Sequence, residues 1–191
     1  MNVNELINAI KNGECDDCLK AVYVSDNAVC EQKPRYVEAL NTFGELFGYD
    51  REVSIMSAPG RTEICGNHTD HNNGKVLAAS INLDAIAVVS KNNDGIVRVK
   101  SKGHKMNVVD LSDLEPKKEN FGDSTTLVQG VAAGIKDLGY EISGFDACTT
   151  SDVMGGSGLS SSAAFEVLLG TIFSYMFNDG KIGAIDIAKV S

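Results

Sequence analysis

The chain has 191 residues, 43% of them hydrophobic and 23% charged, which is enough to build a sizeable core and is unlike a disordered sequence. Its formal net charge of -9 argues against non-specific nucleic-acid binding and against attraction to anionic membranes. No apolar run reaches the roughly 20 residues a spanning helix needs, and the first residues lack a secretory signal's basic start and apolar core.

The elements can be taken in chain order. Asn4 is expected to cap a short helix over residues 5–12, ended by Gly13. Five cysteines (Cys15, Cys18, Cys30, Cys65, Cys148), odd in number and sparse, read as reduced thiols of a cytoplasmic protein. Cys15 and Cys18 form a C-x-x-C that lacks the further ligands of a zinc site, so both are expected to be partly buried thiols. A second helix is expected to start at Pro34. Tyr36, Val37, Leu40, Phe43 and Phe47 then recur at helical spacing up to Gly48. Residues 1–50 thus read as a helical extension whose work is packing.

From residue 52 the texture changes to short extended runs: 52–58, ending at Pro59-Gly60, then 61–66, 75–81, 85–90 and 96–101. Asp94-Gly95 between two alternating apolar segments predicts a hairpin. Residues 116–124 form a polar loop. Leu127, Val128, Val131, Ile135 and Leu138 share one face of a helix over 125–138. A strand at 145–151, a glycine-serine loop, a helix from Ser161 to Phe177 and a helix over 181–190 complete the chain. Strands and helices mix without strict alternation, so the fold class is α+β rather than a doubly wound parallel sheet.

The loop and helix start from Ser151 to Phe165, SDVMGGSGLSSSAAF, carry the sharpest chemistry. Gly155, Gly156 and Gly158 allow positive φ and close approach to a ligand. Ser160, Ser161 and Ser162 bring hydroxyls and unpaired amides to a helix start, where the dipole adds partial positive charge. These are the parts of an anion cradle, with a triphosphate as the natural occupant. The bland alternative is a flexible loop with a serine cap. The lysine of G-x-x-x-x-G-K-[ST] is missing, and Ser161 stands where G-x-G-x-x-G needs its third glycine. A second cluster lies at residues 57–77, where Arg61, His68, Asp70 and His71 sit among turn-forming residues. A metal site, an exposed polar loop and a site pairing sugar hydroxyls are all open to this composition.

The loop GGSGLSSSAA resembles the phosphate-binding motif of the GHMP kinases, with the serine run closest to the galactokinase branch. The earlier cluster resembles the galactokinase signature at Gly60, Arg61, Ile64, Gly66, His68 and Asp70. The resemblance covers roughly residues 52–191 and implies a GHMP-kinase N-terminal domain over 51–191: a mixed sheet with helices packed on one side, truncated before the C-terminal domain. It implies a sugar 1-kinase in which ATP and galactose give galactose 1-phosphate and ADP. Arg61 would then act on the reacting hydroxyl and γ-phosphate, with Arg61, Asn67, His68 and Asp70 binding the sugar. Gly155, Gly156, Ser157, Gly158, Leu159, Ser160, Ser161 and Ser162 would hold the ATP phosphates, and Ser161 and Ser162 a Mg2+ ion. Partners would be a small-molecule sugar and ATP, with no nucleic acid and no membrane.

Departures from the pattern bear on the substrate. Asn67 stands for a glutamate, His71 for a tyrosine, Glu63 for an asparagine and Met154 for a proline. Leu127 and Val128 occupy the region where the family places aromatics around adenine. The family's catalytic aspartate, in a Gly-x-Met-Asp-Gln-like segment, has no counterpart before Ser191, and the helix over 181–190 reads as cut before its cap. This length of chain is therefore expected to be inactive. Two other readings share the motifs: a non-catalytic sugar and nucleotide sensor, and a GHMP kinase for another sugar such as N-acetylgalactosamine or arabinose.

Overall fold

A computed structural model of the chain describes residues 1–66, 73–115, 123–156 and 158–191. Three helices come first: α1 (Val3–Asn12), α2 (Asp16–Tyr23) and α3 (Asp26–Phe47). The cap of α1 is Asn2, not Asn4. Its side chain accepts from the Glu5 amide while the Glu5 carboxylate accepts from the Asn2 amide, a reciprocal box that moves the start two residues forward. Gly13 ends the helix in the left-handed region at φ 84°, as expected.

Helix α3 starts eight residues before Pro34, with Ser25 accepting from the Ala28 amide, so the proline lies inside the helix. An interior proline costs about 3 kcal/mol in lost hydrogen bonding and crowding. Buried side chains on both sides of it, Val29 before and Tyr36, Leu40 and Phe43 after, hold the helix continuous through that cost. Helix α2 was not legible, because its eight residues make barely two turns, too short a window to tell a helical period from a mixed apolar run.

Five strands follow: β1 (Ser54–Cys65), β2 (Leu77–Lys91), β3 (Ile96–Ser101), β4 (Met106–Asp110) and, after α4 (Ser124–Asp137), β5 (Phe145–Ser151). Helices α5 (Ser161–Phe177) and α6 (Ala184–Val190) complete the order. The expected stop at Pro59-Gly60 is instead a register shift within one 12-residue strand. A proline is tolerated there because β1 lies at the sheet edge, and the shift is taken up by β2: Pro59 pairs with Asp84 but Arg61 with Ser80, so β2 carries the extra residues. The runs at 75–81 and 85–90 likewise join into the single strand β2.

The sheet order is β1-β2-β5-β3-β4, mixed in direction: β5 runs antiparallel to β2 and parallel to β3. The Asp94-Gly95 turn is therefore not a hairpin. The chain leaves β2, passes over the end of β5 and returns as β3 on the far side. Asn92 makes this crossing, its side chain donating to the Ile96 carbonyl and to Asp146 while its amide donates to Gly144. A Cβ on Gly144 would meet the Asn92 side chain and the Ile96 backbone, so glycine is required there.

The sheet is covered on both faces. Ala85, Ala87, Val89, Val97, Val99, Phe145 and Ala147 meet α4, α5 and α6 through Val131, Ile135, Leu168, Leu169, Ile172, Phe173 and Ile187. These are the helices expected on one side. Ile86, Val88 and Cys148 point the other way and share a second core with Val3, Ile10, Leu40 and Phe43 of the N-terminal helices. The first 50 residues therefore roof the opposite face of the sheet. No helix among the described residues is long and apolar enough to cross a membrane.

Candidate functional site: a glycine-serine loop beside Arg61

Strand β5 ends at Ser151, and the chain turns through Gly156 (φ 75°) and Gly158 (φ 76°) to Ser160, itself left-handed at φ 58°. Positive φ at a serine is uncommon, and here it swings the backbone directly into α5. Ser160 makes no side-chain hydrogen bond to the helix it caps. The first amide in the α5 ladder is that of Ala164, which donates to the Ser160 carbonyl at 2.9 Å. The amides of Ser161, Ser162 and Ala163 therefore have no acceptor within the helix, and they carry the positive end of its dipole.

These groups border a cavity of about 510 Å3, lined by Gly155, Ser161, Ser162 and Phe165 on one side and by Ser101, Lys102, His104 and Ser124 on the other. The residues from the β3–β4 turn were not foreseen. They arrive because β3 and β5 run parallel with Ser101 opposite Thr149, so both strands end at the same edge of the sheet. That pairing leaves no mark on the local sequence. Lys102 pairs with Glu38 of α3 at 2.7 Å, and Lys100 donates to the His104 carbonyl. Val128 does not reach the cavity. It faces the sheet and is fully buried in the core, which removes it from any base-binding role. Met154, where the related motif has proline, is exposed at the cavity rim.

Arg61 lies just beyond the register shift between β1 and β2. Its Nε donates to Ser160 Oγ at 3.0 Å, and its backbone amide donates to the Leu159 carbonyl at 3.2 Å. Gly60 makes this approach possible: a Cβ there would come within 3.0–3.1 Å of Val153 and the Leu159 carbonyl. A second cavity of about 550 Å3 opens here, lined by Gly60, Arg61, Ser80, Ser160 and Ala188. The start of α5 thus borders both cavities, with Ser160 in one and Ser161 and Ser162 in the other. Asn67, His68, Asp70, His71 and Ser157 lie outside the described residues. Just before that segment, Gly66 (φ 134°) packs so close to Val76 that a Cβ would fall 2.6 Å from its side chain.

Cys15 is half-buried while Cys18 is exposed, so only the first fits the expectation of a partly buried thiol. Among the described residues, no group of three His, Cys, Asp or Glu is arranged to hold a metal ion.

A mixed five-stranded sheet whose last strand feeds a glycine-serine loop and an apolar helix is the fold of the GHMP kinases. The chain superposes on the Methanococcus jannaschii mevalonate kinase with a TM-score of 0.60 at 19% identity, over 73% of this chain and 44% of that one. The likeness to a crystal structure of Lactococcus lactis galactokinase complexed with galactose is stronger, with a TM-score of 0.69 at 29% identity over 78% of this chain and 39% of that one. Residues 41–91 match the galactokinase galactose-binding signature. Galactokinases of Clostridium tetani and Streptomyces coelicolor are 34% and 36% identical, over 81% and 74% of this chain. The chain belongs to the galactokinase family. It spans about 39% of the length of the Clostridium tetani relative and 36% of the Streptomyces coelicolor one.

Proposed function

We propose that this chain is the nucleotide-phosphate and sugar-binding part of a sugar 1-kinase that transfers the γ-phosphoryl group of ATP to galactose, giving galactose 1-phosphate and ADP. The observation that carries the proposal is the Arg61–Ser160 bond, which joins the signature segment to the head of the glycine-serine loop. A guanidinium held there lines the second cavity and is bonded to the head of α5, whose next two residues line the first. At such a junction it can meet the negative charge that builds as the sugar oxygen attacks phosphorus and the bond to ADP breaks. Phosphoryl transfer depends on positioning and electrostatic stabilisation, so a fixed arginine suits the reaction.

In this reading, Gly155, Gly156, Ser157, Gly158 and Leu159 wrap the phosphates of ATP. The free amides at Ser161 and Ser162 neutralise part of their charge, supported by Lys102 from the facing turn. The hydroxyls of Ser161 and Ser162 are hard oxygen donors suited to Mg2+, which takes phosphate oxygens and water for its remaining positions. When bound, Mg2+ would supply charge neutralisation on the phosphates. Asn67, His68 and Asp70 bind the sugar hydroxyls, and residues 51–191 form the domain that carries both motifs. The setting is the cytoplasm. No Gly-x-Met-Asp-Gln-like segment supplies a proton acceptor within the 191 residues, so this length of chain alone is proposed to have no turnover.

Asn67 and His71, which depart from the signature, favour a second reading in which the accepted sugar is another hexose derivative or a pentose. Incubating the full-length protein with ATP and a panel of sugars separates the two, and phosphorylation of none supports a sensor instead. The Asp70→Ala variant is expected to lose sugar binding and to keep nucleotide binding within about threefold. Equal loss of both in calorimetry removes the assigned role.

A further inference from the structure

The N-terminal helices do more than roof the sheet. Arg35 of α3 is nearly buried, and its guanidinium meets five acceptors, four of them beyond its own helix. Nη1 donates to Asp84 Oδ1 at 2.6 Å and to Gln32 Oε1 at 2.9 Å, and lies 3.1 Å from Asp152 Oδ2. Nη2 donates to the carbonyls of Asp84 at 2.8 Å and Thr150 at 3.1 Å. Thr150 and Asp152 flank the residue at which β5 becomes the glycine-serine loop. Gln32, one turn earlier, donates to the same Asp152 carboxylate at 3.2 Å, and the Asp152 amide donates to the Asp84 carbonyl at 3.0 Å.

Asp84 is itself a junction. Its other carboxylate oxygen accepts from Tyr23 of α2 at 2.8 Å and from Ser57 of β1 at 2.5 Å, and Tyr36 contacts the Tyr23 hydroxyl at 2.9 Å. Ser57 begins the segment that reaches Arg61 three residues beyond Ala58. A buried carboxylate on β2 and an arginine on α3 therefore tie down the strand leading to Arg61 and the strand leading to the phosphate loop at once. Nothing in packing demands this. An apolar cluster would fill the same space without the cost of burying two charges.

We infer that Arg35 is a positioning residue that fixes where the glycine-serine loop leaves the sheet, so that the N-terminal helices set the geometry of the α5 N-terminus relative to Arg61. The consequence for nucleotide binding rests on the phosphate-loop reading above, whereas the coupling between α3 and the loop does not. A lysine at 35 can still reach Asp84 but cannot span Asp84, Thr150 and Asp152 together, because it has one nitrogen in place of a planar fork. Asp152 is more than one-third exposed, so Asp152→Ala removes the loop-side partner without opening the core.

The test is amide hydrogen exchange on the 191-residue chain and on its Arg35→Lys and Asp152→Ala variants, with Mg·ATP affinity measured in parallel. Exchange at residues 152–156 is expected to rise about tenfold in both variants, while residues 86–89 and 146–148 stay within about twofold. Mg·ATP binding is expected to weaken by about three- to tenfold in both. Unchanged exchange at 152–156, or a uniform rise across loop and strands, overturns the proposal, the second because it marks loss of stability alone. If the unaltered chain does not bind Mg·ATP, the phosphate-loop reading fails and the exchange comparison still decides the coupling.

Discussion

At the scale of single residues, the site depends on a few side chains whose surroundings differ sharply. Arg61 is exposed yet held by one side-chain and one backbone bond to the loop, so its guanidinium is fixed at the head of α5 while staying open to a ligand. In the full-length protein, Arg61→Ala is expected to lower kcat by about 10²–10³-fold with a much smaller change in KM for ATP, read from steady-state kinetics. Cys148 behaves oppositely: burial pushes its thiol up to about 12. An unfolded thiol loses its proton near pH 9, so between about pH 9 and 12 the unfolded chain binds fewer protons than the folded one. Stability therefore falls as pH rises through that window, and Cys148→Ala should make the decline in Tm with pH shallower. The same burial should leave Cys148 unlabelled by a thiol reagent in the native state, while Cys18, Cys30 and Cys65 react. Labelling of Cys148 at the rate of the exposed thiols would contradict this.

Elements fall into two groups according to where their ends are satisfied. Helices α1, α3 and α4 have caps that accept from their own first-turn amides, through Asn2, Ser25 and Asp123. Helices α2, α5 and α6 have none, and in α5 the cap hydroxyl is turned to Arg61 instead. Asn2→Ala removes the reciprocal box of α1 and is expected to cost about 1 kcal/mol by urea denaturation. The same comparison explains how far the sequence could be read. Residues 145–151 and the helix from about 161 to 177 were legible because an apolar run, a glycine-rich break and a serine run mark their limits. The start of α3 was not, because Pro34 carries a strong local signal that burial of Val29 and Tyr36 overrides. The missed hairpin has a similar cause: Asp94-Gly95 does form a turn, yet which strand lies beside β2 is decided by β5, some fifty residues later.

For the whole molecule, the two-sided cover of the sheet is the governing feature. Ile86, Val88 and Cys148 are shielded only while α1–α3 are in place. A chain beginning at residue 51 is expected to expose this face, bind ANS strongly and lose cooperative unfolding, whereas the 191-residue chain should unfold in one transition. A cooperative, ANS-negative 51–191 chain would mean that the helical cover is dispensable for the sheet. By itself the sequence determined the α+β class, the two motif segments and their kinship to the galactokinase family, because these rest on local patterns of glycine, serine and charge. Only the tertiary structure decided that Arg61 meets Ser160, that Lys102 and His104 face the loop, and that Arg35 holds its start. Each of those contacts joins segments far apart in the chain, brought together by the packing of α5 on β1, by the parallel β3–β5 pairing and by a helix whose buried face carries no trace of the loop it restrains.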